Sequence, residues 1–125
     1  MQRYLLIAVF GALGAMSRYA LDTWVTSTTH GRFPWGTLLV NVAGSFALGI
    51  VVELTTARLL AHPDWRIALG IGFLGAFTTF STFTYDTVRL ADDSAYALAL
   101  LNVVSMTMLG IVAAAAGLLL GRALT

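Results

Sequence analysis

Four apolar runs, each long enough to cross a bilayer and separated by a few polar residues, leave this chain very little freedom. They cover about 4–24, 36–57, 66–89 and 96–120. A spanning helix takes about 20 apolar residues, so four of them with short connections account for all 125 residues and leave no room for a soluble domain. Only 10% of the residues are charged and 58% are hydrophobic, whereas a soluble domain carries about a quarter charged. The expectation is an all-α, multi-pass membrane protein with one four-helix domain over 1–125. The first run is read as a retained helix rather than a removed leader, because three more follow it. The lack of cysteine excludes disulfides, thiolate catalysis and sulfur metal sites. A formal charge of +1 argues against a nucleic-acid partner.

Within the third run the stretch Gly70 to Phe83, GIGFLGAFTTFSTF, does not read as lipid-facing helix. Gly72 and Gly75 weaken the helix, and Thr78, Thr79, Ser81 and Thr82 offer oxygens that compete for backbone hydrogen bonds. Phe77, Phe80 and Phe83 recur three apart. Irregular backbone at membrane depth survives only when buried in protein or lining a wet path. The stretch is therefore either a break in the helix that serves function or a glycine-rich packing seam.

The other runs carry isolated polar residues. Arg18 sits inside the first, where a central arginine costs about 2.5 to 3.5 kcal/mol on insertion scales. It either lines a wet vestibule or anchors a helix end with Asp22 one turn on. Asn41 lies about two turns into the second run, and its carboxamide needs a partner helix or a cavity. Glu53 and Arg58 read as helix-end charges. In the fourth run, Asn102 and Ser105 share a face by their spacing of three, as part of a polar track or as bonds to neighbouring helices. His30 and His62 stand singly in loops, no serine has a base near it, and no carboxylate pair is evident within the membrane, so no enzyme is expected.

With four spans, both termini and the second loop share one side. That side holds Arg3, Arg58, Arg66 and Arg122 against Arg18, Arg32 and Arg89 on the other. Loop arginines normally decide insertion, so a near-balanced chain is expected to insert both ways and to pair with its own inverted copy. The aromatic residues fit the same map, with Tyr19, Trp24, Trp35 and Tyr96 at one interface and Tyr4 and Trp65 at the other.

GALGAMSRY in the first run, GTLLVNVAGSFALG in the second and GFLGAFTTFSTF in the third resemble the corresponding stretches of the Fluc (CrcB) family of fluoride channels. The resemblance covers nearly the whole chain in order. It implies an antiparallel, dual-topology homodimer of four-helix subunits in the bacterial inner membrane, which exports fluoride passively and gives fluoride resistance. It further implies a structural sodium ion at the dimer centre, held by backbone carbonyls at the break of the third helix, here Gly75 and Thr78. The family's pore phenylalanines match Phe80 and Phe83, its pore asparagine Asn41 and its vestibule arginine Arg18. The fourth helix departs from the pattern: where the family places a hydroxyl four residues before a glycine, counting back from Gly110 gives Met106, with Ser105 beside it and Asn102 one turn away.

The chemistry suits that implication. Fluoride is small and strongly hydrated, so a pore must replace its water with donors, yet a fixed cation would hold it too firmly. Asn41 offers an amide, Thr79, Ser81, Thr82 and Ser105 offer hydroxyls, and the rings of Phe80 and Phe83 have positive edges. Two other classes compete. A small multidrug exporter would carry a membrane-embedded glutamate in helix one, and here no acidic residue precedes Asp22. A non-transporting scaffold would need only the glycine faces.

Overall fold

The computed structural model describes residues 1–57, 59–60 and 62–125. Four helical segments are long and apolar enough to span a membrane: Gln2–Thr28, Trp35–Thr56, Pro63–Asp92 and Tyr96–Ala123. The first two are α1 and α2. The third is two helices in line, α3 over 63–77 and α4 over Phe80–Asp92, and the last is α5. No strand occurs among the described residues. The first helix outruns the apolar stretch that predicts it, because hydroxyls prolong its end. In α1, Ser27 donates to the Trp24 carbonyl at 2.7 Å and Thr28 to that of Val25 at 3.0 Å, carrying the helix past Trp24 into the interface.

Small residues decide which helices touch. On the α2–α5 seam, a Cβ at Gly117 would fall on the Phe46 carbonyl, and one at Gly121 would stand 2.7 Å from Glu53 Cβ. On the α1–α3 seam, Gly14 lies against the Phe73 carbonyl and a Cβ at Gly72 would meet Phe10 Cβ at 2.9 Å. Lipid supplies no hydrophobic drive between helices, so close backbone approach of this kind carries the packing. Between Arg66 and Leu74, α3 winds in wide π turns, and the Gly75 N–H reaches back to the Gly70 carbonyl. Such turns recur at functional sites in helices. Within the buried core, Val40, Leu74 and Phe77 form one cluster, flanked by Leu21, Ala47, Val51 and Phe73.

Two ion pairs identify one end of the bundle. Arg3 lies 3.7 Å from Asp64, and Arg122 lies 3.8 Å from Glu53. Both termini and the connection from α2 to α3 therefore share that end. Glu53 pairs with the end of α5; Arg58, read with it in the sequence, lies outside the described residues. At the opposite end the α1–α2 connection, Arg89 and Asp93 enclose a cavity of about 410 Å³.

The Phe77, Phe80, Phe83 triplet does not form one stripe. Phe77 ends α3, buried and stacked on Phe73 at 5.8 Å, whereas Phe80 and Phe83 open α4 beyond the break. Two extended residues reset the helical phase, so a spacing of three across them carries no facial meaning.

Because backbone stands where a Cβ would go, Gly117→Ala should destabilise the protein in detergent by about 1–3 kcal/mol. Gly110→Ala, whose nearest neighbour would be Ser45 Oγ at 3.9 Å, should be neutral. Parallel thermal unfolding of the two variants checks the contrast.

Candidate ion pathway

The break occupies two residues. Thr78 has φ −79° and ψ 157°, and Thr79 has φ −150° and ψ 117°, both extended. Each threonine finishes one helix. Thr78 directs its N–H and its hydroxyl to the Leu74 carbonyl at 3.0 and 2.9 Å, closing α3. Thr79 caps α4, its Oγ1 accepting from the Thr82 N–H at 3.3 Å. Asn41 on α2 holds the break from the side: its Oδ1 accepts from the Thr79 N–H at 2.8 Å and its Nδ2 donates to the Thr79 carbonyl at 2.9 Å. In a continuous helix that N–H would bond to the Gly75 carbonyl. With it diverted to Asn41, the last carbonyls of α3 are left for other partners.

Beside the break lies a cavity of about 300 Å³, lined by Asn41, Thr78, Thr79, Phe80, Phe83 and, from α5, Met106, Thr107 and Gly110. The Phe80 and Phe83 rings meet edge to face at 5.7 Å. Phe80 is 76% exposed, so the cavity opens on the flank of a single chain. The second Nδ2 hydrogen of Asn41 has only the Met106 sulfur, a weak acceptor, at 3.4 Å. On the other side of Thr79 a cavity of about 220 Å³ lies between α1, α2 and α4 and includes Arg18, Asp22, Thr37 and Thr82. It shares Asp22, Thr37 and Thr82 with the larger cavity at the bundle end. A polar route thus runs from that end to the break.

A chain with these features matches, over residues 5–118, the family described as CrcB-like protein, Camphor Resistance (CrcB). The chain belongs to the CrcB family. It is 46% identical over 120 residues to a protein of Solibacter usitatus named fluoride-specific ion channel FluC, covering 96% of this chain and 98% of that one. Proteins of the same name from Geotalea uraniireducens and Geobacter sulfurreducens are each 44% identical over 124 residues, covering 99% of this chain and all of theirs.

In this CrcB chain Asn41, Thr78, Thr79, Phe80 and Phe83 meet at one cavity, and Gly75 is exposed in the last turn of α3 without lining it. Thr82 faces the inner and end cavities with Arg18 or the loop residues, and the Ser81 hydroxyl lies 3.4 Å from that of Thr79. Ser105 is not brought to the phenylalanine cavity. Its hydroxyl donates to the Leu101 carbonyl at 2.6 Å within its own helix, and Met106 and Thr107 line the cavity from α5 instead. Asn102 is fully buried and donates to Thr87 Oγ1 at 2.9 Å, while its Oδ1 finds no partner among the described residues.

Sequence reasoning missed Thr37 and Asp86, which are joined by a 3.0 Å hydrogen bond from the threonine hydroxyl. An acidic residue within a spanning segment was itself the available signal.

Asn41→Leu would strip both partners from the Thr79 peptide groups and should destabilise the fold by about 1–3 kcal/mol. Thr79→Ala, losing the cap and its hydroxyl contacts to Ser81 and Thr82 but keeping the backbone clamp, should lose about 1 kcal/mol. Detergent unfolding with Asn41→Leu the milder of the two would refute the clamp.

Proposed function

We infer that this CrcB protein is a fluoride-specific ion channel that lets fluoride leave the cell passively, and that it is not an enzyme. The observation that carries this is the helix break at membrane depth, opening neutral hydrogen-bond donors beside two aromatic rings in a chain whose full-length relatives bear that name. Asn41 would donate its free N–H to fluoride, a far better acceptor than the Met106 sulfur it now faces. In that cavity the ring edges of Phe80 and Phe83 and the Thr79 hydroxyl would replace the remaining water, with no cation there to retain the ion, while Thr82 would act from the inner cavity and Ser81 on turning from Thr79. Ser105 would contribute only on leaving its own helix carbonyl, and Arg18 would stand in the vestibule.

The working unit we propose is an antiparallel homodimer. Three features support it: the near balance of arginines between the two sides, the exposure of Phe80, and the position of Gly75 on the open flank of α3. A second, inverted copy would close the flank and turn a half-open cavity into a pore. The carbonyls released at the break, that of Gly75 in α3 and that of the extended Thr78, are hard neutral oxygens of the kind that suit a sodium ion. Two such sets facing each other would hold one at the dimer centre and lock the copies together.

Proteoliposomes loaded with fluoride should empty through the wild-type protein while retaining chloride and a cationic dye. Phe80→Ile and Phe83→Ile should each slow efflux by about tenfold or more, equivalent to about 1.4 kcal/mol on the barrier, with the dimer intact by size-exclusion chromatography. Wild-type flux in both variants would remove the rings from the pathway. A C-terminal tag should be labelled from both sides of the membrane, and labelling from one side alone would exclude dual insertion.

A further inference from the structure

The cavity between α1, α2 and α4 carries two charged groups, Arg18 and Asp22. They are not in salt-bridge contact among the described residues, so each acts on the cavity as a whole. Asp22 also lines the larger cavity at the bundle end, where Asp86, Asp93, Arg32 and Arg89 join it. Of all these carboxylates and guanidiniums, Asp22 alone borders both spaces. Its position is fixed: Oδ1 rests against Gly36, in the space where a side chain would otherwise stand, and accepts from the Thr26 hydroxyl at 3.5 Å. Asp86, by contrast, is engaged by Thr37 and does not border the inner cavity.

We propose that Asp22 is a throughput-determining residue of the channel, the counter-charge that keeps Arg18 from trapping fluoride on its way to Thr79. This rests on the fluoride-channel reading. With the Asp22 carboxylate opposite Arg18, the charged side chains lining the inner cavity balance, and an entering anion meets the Thr79 and Thr82 hydroxyls, that of Thr37 being held by Asp86. With that carboxylate removed, Arg18 is unopposed in a confined space of about 220 Å³, where screening by water is weaker than at an open surface. The anion then binds more tightly and leaves more slowly. An anion pathway thus gains rate from a carboxylate on its wall.

The test is the dependence of fluoride efflux on fluoride concentration in proteoliposomes. Asp22→Asn, which keeps size and the contact to Thr26, should lower the half-saturating concentration about three- to tenfold and lower the maximal rate. Adding Arg18→Gln should return the half-saturating concentration toward wild type, which a purely structural defect would not do. An unchanged concentration dependence in Asp22→Asn, or a double variant that stays like the single one, would overturn the proposal. If Asp22→Asn fails to assemble, Arg18→Gln alone should raise the half-saturating concentration, and an unchanged value would overturn it equally. Absence of fluoride efflux from wild-type vesicles would instead strike at the channel reading itself.

Discussion

A single carboxamide holds open a gap that a membrane would otherwise close. Asn41 presents to Thr79 the same acceptor and donor that a neighbouring peptide group would, at 2.8 and 2.9 Å, and so satisfies an extended residue where no water is available in the hydrocarbon. The break of the third segment, and the course of the chain beyond it, follow from that pair. The Thr79 hydroxyl is free to cap α4, Phe80 and Phe83 are re-aimed by the change of phase, and the carbonyls at the end of α3 lose their helical donors.

That clamp works only if α2 stays at a fixed depth and distance. The α2–α5 seam supplies this, with Gly117 and Gly121 drawing α5 against Phe46 and Glu53. The α1–α3 seam does the same for the other half, through Gly14 and Gly72. Asn102 adds a hydrogen bond from α5 to Thr87, whose own hydroxyl donates to the Phe83 carbonyl at 2.9 Å. The turn bearing Phe83 is therefore tied to the scaffold from outside, as the turn bearing Thr79 is tied by Asn41.

Much of this was legible in the residues. Segment length and apolarity set four spans, and clustered glycines and hydroxyls marked the third as irregular, because both signals are local. Asn41 as a buried amide needing a partner comes from the same kind of reading, whereas the resemblance put the break at Gly75 and Thr78; the extended residues are Thr78 and Thr79, with Gly75 still helical. What local pattern could not supply was pairing across helices. Asn41 read equally as a bond between helices or as a pore donor, and its geometry permits both, since one N–H remains without a strong acceptor. Ser105 looked available because a hydroxyl that bonds back to its own helix is indistinguishable in sequence from one that points outward. Asp86 and Thr37 were passed over because the carboxylate's partner is 49 residues away.

The two ion pairs that gather both termini at one end also restrict how such a protein can be rearranged in a genome. In an inverted pair, the C-terminus of one copy and the N-terminus of the next would emerge on opposite faces of the membrane. Joining them in one polypeptide would take an additional crossing segment, so a fused duplicate with a short soluble tether could not reproduce the pair.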